Sequence, residues 1–263
     1  MTTYLDDIVA RHRAVAVADR RPFEALRAEA ERQPPTRDFA AALAPERHVG
    51  ELAVIAEIKR RSPSKGDLAT DLVPGVLAKA YDAGGAVCLS VLTDRDYFGG
   101  SAGDLAEARD ACALPVLRKD FTVSERDVLD ARAMGADALL LIVAALDDAE
   151  LQGFHDLAGE IGLAALVEVH DEHELERGLA AGASIVGVNQ RDLHTFAVDA
   201  ERAVRLAASI PAGVTAVAES GIAAAADARR VAGAGYHAVL VGEALVRSSD
   251  PAAAVRELRV ACS

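Results

Sequence analysis

The 263-residue sequence has no tryptophan, two methionines and only 4% aromatic residues, although 51% of it is hydrophobic. Alanine and small aliphatic side chains therefore carry the apolar fraction, a composition that suits helices packed closely on a sheet. Cysteine is scarce as well: Cys88, Cys112 and Cys262 make an odd set without C-x-x-C spacing. That argues against a disulfide framework or a zinc site and for a reducing cytoplasm. Long hydrophobic runs are missing, the longest being Ala138–Leu146, far too short to span a bilayer. The N-terminus, MTTYLDDIVARHR, contains acidic residues and no apolar core, so it does not read as a secretory signal. Basic residues are outnumbered, 28 against 41 acidic, and the formal charge of -13 is a poor match to a nucleic-acid backbone. An anionic ligand would have to find a locally basic pocket. What remains is a soluble chain at the upper end of single-domain size, able to bury roughly three quarters of its unfolded surface.

After about residue 50 one phrase repeats: a short Val/Ile/Leu/Ala run ends abruptly in polar residues and an Ala-rich helical stretch follows. The runs are Leu52–Ala56, Ala86–Leu92, Leu114–Leu117, Ala138–Val143, Leu163–Val167, Ile185–Val188, Val214–Ala218 and Ala238–Val241. None alternates apolar with polar, so each predicts a strand buried on both faces, which means parallel pairing. Segments such as Glu125–Met134, Glu172–Ala181 and Ala223–Ala232 favour helix. Glycines in DAGGA, AMGAD, AAGAS and GAGYH mark helix stops just before the next strand. Eight such units in a chain of this length predict a (β/α)8 TIM barrel, typically about 250 residues. A doubly wound open sheet is the rival, but no G-x-G-x-x-G follows the first run. The whole chain, 1–263, reads as a single domain with the barrel at 51–258. Residues 1–50 form an N-terminal helical extension, with helical stretches Tyr4–Arg20 and Phe23–Gln33. The extension could plug the barrel floor or reach across its mouth, and the pattern is compatible with both.

Active-site groups of such a barrel lie at the C-terminal ends of its strands. Those ends carry Glu57 and Lys59, Thr93 and Asp94, Lys119 and Asp120, Glu168 and His170, Asn189 and Arg191, Glu219 and Ser220, and Gly242 and Glu243. Any one of them alone reads as a solvated loop charge or a structural ion pair. Their convergence on one rim reads differently, because charges so near a barrel interior need partners or a ligand. AESGI (Ala218–Ile222) and LVGEAL (Leu240–Leu245) place glycines in the loops after the last two strands, the usual phosphate cradle. The first loop, KRRSPSKG (Lys59–Gly66), adds basic residues to the same rim. His12, His48, His155 and His173 have no metal-ligand spacing, and His170 and His194 read as loop or supporting residues. No H-E-x-x-H, G-x-S-x-G or Walker motif is present.

At these residues the chain resembles the indole-3-glycerol-phosphate synthase family of tryptophan biosynthesis. The likeness runs from about residue 4 to 258 through AVIAEIKRRSPSKG (Ala53–Gly66), LSVLTDRDYFGGS (Leu89–Ser101), LPVLRKDF (Leu114–Phe121), ALVEVH (Ala165–His170), GVNQRDLHTF (Gly187–Phe196), AESGI and LVGEAL. The last two are shared with many phosphate-binding barrels, whereas the first three, in order at the first three strand ends, are highly specific. The resemblance implies ring closure of 1-(2-carboxyphenylamino)-1-deoxyribulose 5-phosphate with loss of carbon dioxide and water, without metal or cofactor. It implies that Lys119 is the general acid on the ribulose carbonyl and that Glu168 handles proton transfer in the dehydration. Glu57 and Lys59 would form a charge pair on the opposite rim, with Lys59 also near the phosphate. Asn189, Arg191, Glu219 and Ser220 would orient the reacting groups. Ser62, Gly221 and Gly242 match phosphate-binding positions, and Pro63, Phe98, Phe121, Leu140 and Ile142 would wall the anthranilate ring. The physical reading agrees. Ring closure breaks aromaticity, so a positioned ammonium must make the carbonyl a better electrophile.

Glu243 departs from members with serine at that place; a carboxylate would repel phosphate, so only its backbone N–H is expected to face the ligand. Gln190 occupies a variable position. The implied partner is a small sugar phosphate, with no nucleic acid and no membrane, and a monomer is the default. Three other readings stay open: a Schiff-base aldolase using Lys119, an isomerase of a related sugar phosphate, and a catalytically inert barrel that binds a phosphorylated ligand.

Overall fold

The computed structural model describes residues 3–193 and 195–259; His194 and Cys262 lie outside the described residues. Eight strands form the barrel: β1 (Ala53–Ile58), β2 (Cys88–Leu92), β3 (Val116–Lys119), β4 (Ala138–Ile142), β5 (Ala164–Val169), β6 (Ile185–Asn189), β7 (Thr215–Glu219) and β8 (Ala238–Val241). All are parallel, each beside the next in sequence, and β8 closes on β1 from Ala53 opposite Ala238 to Ala56 opposite Val241. Closure leaves the sheet no free edge. The open-sheet alternative is excluded.

Alternation along each strand divides its residues between two cores. Ala53, Ile55, Leu117, Ala138, Leu140, Ile142, Leu166, Ile185, Val217, Ala238 and Leu240 point inward and fill the barrel. Val54, Ala56, Ile58, Val116, Leu139, Leu141, Val167, Val186, Val188, Ala218 and Val239 point outward beneath the helices. Both faces are apolar, which is why no polar alternation is visible in the sequence. The strands outrun the apolar runs at their C-terminal ends, where Glu57, Lys119, Glu168, Asn189 and Glu219 are still in register. These residues keep inward parity, and their charges are paired inside the barrel, so ladder pairing continues past the last apolar side chain.

The extension does two things at once. Helices α1 (Tyr4–Ala18), α2 (Phe23–Glu31) and α3 (Phe39–Leu43) precede the barrel. Phe39 and Leu43 of α3 are buried against the first inward residues of the strands, so this helix closes the floor. The α1 helix lies over the mouth: the Tyr4 ring meets Tyr97 after β2 at 6.0 Å and Phe196 after β6 at 4.9 Å. Arg13 completes the span, pairing with Glu150 at 2.6 Å and donating to the Ala145 carbonyl at 3.0 Å. The anticipated helix stops carry the left-handed backbone that favours glycine, with φ of 89° at Gly85, 87° at Gly135, 90° at Gly182 and 101° at Gly235. Among the described residues no helix is long and apolar enough to cross a membrane.

Asp137, just before β4, ties the extension to the barrel. It is 1% exposed and accepts from the backbone N–H of Arg37 at 2.8 Å, that of Val116 at 2.8 Å and the guanidinium of Arg109 at 2.9 Å. Removing this carboxylate strands two backbone donors and a guanidinium, so Asp137→Ala is expected to cost about 3 kcal/mol. Urea unfolding measures this, and a loss below about 1 kcal/mol would contradict the account.

Candidate active site

The last inward residues of the strands, with the loops beyond them, enclose a cavity of about 690 Å³ at the C-terminal mouth. At its centre the Lys119 ammonium bridges two carboxylates, 3.0 Å from Glu168 and 2.6 Å from Glu219. Glu168 also accepts from the Asn189 amide at 3.0 Å, and Asn189 in turn accepts the Arg191 backbone N–H at 3.0 Å. Across the mouth Lys59 reaches Glu57 at 2.5 Å. Glycine is required behind both carboxylate groups: a Cβ on Gly242 would strike Glu57, and one on Gly187 would strike Glu219.

Burial and charge push these groups in different directions. Burial tends to lower the Lys119 pKa, but the carboxylates of Glu168, Glu219 and Glu57 outweigh it, and the net shift is upward. Burial raises Glu168, yet Lys119, His170 and the Asn189 amide bring it below its ordinary value. For Glu219 burial wins, helped by the Glu168 charge, and its pKa rises to about 7 despite Lys119. One buried carboxylate is thus held ionised and its neighbour is ready to hold a proton near neutrality, the separation that lets two like groups play acid and base.

The remaining walls are of two kinds. Pro63, Phe98, Phe121, Leu140 and Ile142 are apolar lining, with the rings of Phe98 and Phe121 6.4 Å apart. Ser62, Ser220, Gly221, Gly242 and Glu243 also line the cavity. Ser220 and Gly221 both adopt left-handed backbone, φ 64° and 69°, which turns the chain sharply after β7. A family model for indole-3-glycerol phosphate synthase matches residues 5–258. The chain belongs to the indole-3-glycerol phosphate synthase family.

Relatives agree along nearly their whole length. An indole-3-glycerol phosphate synthase of a Nocardioides species is 51% identical over 262 residues, covering 97% of each chain. One from a Polaromonas species is 47% identical over 260 residues, covering 98% of each. Indole-3-glycerol phosphate synthase 2 of Streptomyces coelicolor is 54% identical over 225 residues, covering 86% of each. Among solved structures, thiamine phosphate pyrophosphorylase from Pyrococcus furiosus superposes with a TM-score of 0.59 at 17% identity, covering 80% of this chain and 95% of that one. That likeness concerns the barrel alone.

In this member of the synthase family the residues that the resemblance assigned to the site, with Glu243, line one cavity: Glu57, Lys59, Ser62, Pro63, Phe98, Lys119, Phe121, Leu140, Ile142, Glu168, Asn189, Arg191, Glu219, Ser220, Gly221, Gly242 and Glu243; Thr93 and His170, also at strand ends, do not. The basic first loop is a partial exception. Arg60 turns away to Asp104 at 3.0 Å and to the Thr70 and Leu72 carbonyls at 2.8 Å, and Arg61 is spent on the Asp96 carbonyl. Lys59 and Lys65 are the cations of that loop that face the cavity. Glu243 has its own counter-charge in Arg247, 3.9 Å away and also on the cavity wall.

Several lining residues had no usable sequence signal. Leu193, Phe196, Val198 and Arg247 reach the cavity through loop conformation, Phe196 with a left-handed φ of 61°. His12, on α1, is 82 positions from Asp94, yet its Nε2 lies 3.0 Å from that carboxylate. Asp94 also accepts the backbone N–H of Tyr97 at 2.6 Å and of Phe98 at 3.0 Å, so the lid helix grips the turn that presents Phe98. His12, Asp94 and Asp120 come within metal-ligand reach of one another. Asp120 is already paired with Arg118 at 2.9 Å.

Glu219 supplies a test. Its carboxyl should titrate near pH 7, read by carbon-13 NMR of labelled glutamate, and Lys119→Met should move the midpoint higher. Because the folded state holds this proton more tightly than the unfolded chain, its contribution to stability is present at acid pH and lost as pH rises through about 7. A Glu219 midpoint in the ordinary carboxylate range would overturn this electrostatic picture.

Proposed function

We propose that this chain converts 1-(2-carboxyphenylamino)-1-deoxyribulose 5-phosphate into indole-3-glycerol phosphate, carbon dioxide and water. The atoms balance without an oxidant or reductant. The ring carbon bearing the carboxylate attacks the ribulose carbonyl, carbon dioxide leaves, and the resulting hydroxyl departs as water as the pyrrole ring becomes aromatic. Membership of the family supports the reaction, and the Lys119 ammonium between two buried carboxylates is the observation that carries the mechanism.

Lys119 donates its proton to the carbonyl oxygen as the carbon–carbon bond forms, stabilising charge that develops only in the transition state. Its raised pKa keeps the ammonium charged. The same shift disfavours the Schiff-base reading, which needs a neutral amine. Glu168, ionised and oriented by Asn189, takes the proton released in the dehydration. Glu219 shares Lys119 and tunes it, with Ser220 and Arg191 helping to orient the reacting groups. Glu57 and Lys59 hold the opposite rim, where Lys59 also reaches toward the phosphate. Ser62 and the backbone N–H groups around Gly221, Gly242 and Glu243 cradle that phosphate, while Pro63, Phe98, Phe121, Leu140 and Ile142 enclose the aromatic ring. The local cations Lys59, Lys65 and Arg247 offset a chain charge of -13 where the anionic substrate binds. All these groups come from one chain, so the reading needs no second subunit, and a single-domain monomer working in the cytoplasm is part of the proposal.

Purified protein mixed with the carboxyphenylamino-deoxyribulose phosphate, without metal or nucleotide, is expected to develop indole fluorescence. Silence from well-folded protein would sink the reading. Lys119→Met is expected to lower kcat by about 10²–10⁴-fold while ligand binding persists. An unchanged rate would remove Lys119 as the acid. Borohydride in the presence of substrate should leave the wild-type chain unmodified, and trapping at Lys119 would restore the aldolase reading.

A further inference from the structure

Glu168 has a neighbour whose role the reaction scheme leaves unassigned. His170 follows it by two residues, on the same inward parity, just past the end of β5. Its Nε2 lies 3.6 Å from the Glu168 oxygen that also takes the Asn189 amide. On the other side of the ring, Nδ1 lies 2.9 Å from Glu174 in helix Glu172–Ala180, whose carboxylate also accepts the His170 backbone N–H at 2.8 Å. The ring is therefore held by its helix-side edge and aimed by its other edge at Glu168. That aimed nitrogen is buried and has no hydrogen-bond partner among the described residues.

Tautomer chemistry restricts what the ring can be. If Nδ1 donates to Glu174, a neutral ring presents a bare lone pair toward a carboxylate oxygen, which is repulsive. An imidazolium instead offers an N–H to each carboxylate and removes both problems. We propose that His170 is a positioning residue that, as an imidazolium clamped between Glu174 and Glu168, keeps Glu168 ionised for the dehydration. The inference rests on Glu168 being the base of that step. Its electrostatic surroundings agree: burial opposes charge on His170, the Glu174 and Glu168 carboxylates outweigh burial, and Arg202 works weakly against them. Toward Glu168 the facing groups are Lys119, His170 and the Asn189 amide, which favour its carboxylate, and Glu219 across the Lys119 ammonium, whose charge opposes it.

His170→Asn makes the discriminating variant. Its amide can replace Nδ1 at Glu174 while removing the arm that faces Glu168. The acidic limb of the kcat–pH profile is expected to move up by about one pH unit, costing up to about tenfold at pH values below the wild-type limb and little at pH 8.5. KM should stay within about twofold, because the ring does not line the cavity. Glu174→Gln, which loosens the clamp and keeps the imidazole, should shift the limb in the same direction by less. An acidic limb that does not move, or a kcat reduced equally at every pH, overturns the proposal. Carboxyl NMR of Glu168 gives a readout independent of turnover: its midpoint should rise in His170→Asn, and an identical midpoint in both proteins overturns the inference even if the wild type is fully active. If the wild type makes no product, the reaction reading falls while the NMR comparison still decides the link between His170 and Glu168.

Discussion

A lysine can keep its charge inside a barrel only if something there repays the lost hydration, and Lys119 is repaid by Glu168 and Glu219 at 3.0 and 2.6 Å. Removing either carboxylate would leave like or unlike charges unbalanced in a space with little water. The arrangement rests on closure. β3, β5 and β7 are not neighbours in the sheet, and only a ring of strands aims their inward side chains at one axis. Gly187 on β6 then leaves the room that the Glu219 carboxyl occupies, and Gly242 after β8 does the same for Glu57.

The same constraint explains how one segment can be structural and reactive at once. Inward positions near the strand starts are alanine, isoleucine, leucine, valine or, in β2, Cys88, and pack in one cluster with Phe39 and Leu43 of the floor helix. The last inward positions of β1, β3, β5, β6 and β7 are Glu57, Lys119, Glu168, Asn189 and Glu219. The contrast between Arg118 and Lys119 shows the strength of parity. One residue earlier in β3, Arg118 faces outward, where Asp120, Thr93 and the Asp127 carbonyl occupy it at 2.9, 3.1 and 2.8 Å. Two adjacent cations thus belong to different chemical worlds.

The extension couples floor and mouth. Asp137 anchors its middle, α3 stoppers the barrel, and α1 lies over the cavity with Tyr4 between loops from opposite sides of the ring. His12 adds a polar tie, its ring 5.2 Å from Phe121 and its Nε2 on Asp94, so the roof contacts the same aromatic wall that the substrate ring would use. Burial tends to lower the His12 pKa, but the Asp94 hydrogen bond and the Asp120 and Asp127 charges prevail, and the tie is favoured in its charged form.

The sequence by itself determined the strand count, the parallel sense and the rim on which the reactive groups gather, because doubly buried strands leave long-lived marks: apolar runs, glycine stops and charges at fixed ends. It also carried the family motifs, which are local strings around those ends. Tertiary structure decided what parity and distance decide. Glu168 and Glu219, alike on paper, acquire opposite proton affinities from their burial and neighbours. Arg60 and Arg61 turn from the cavity to loop carbonyls and Asp104, and His170 takes its place beside Glu168. The roof reached by α1 depends on contacts 82 and more positions away in the chain, such as His12 with Asp94. Strand periodicity is local and can be read residue by residue; the pairing of distant charges exists only once the ring has closed.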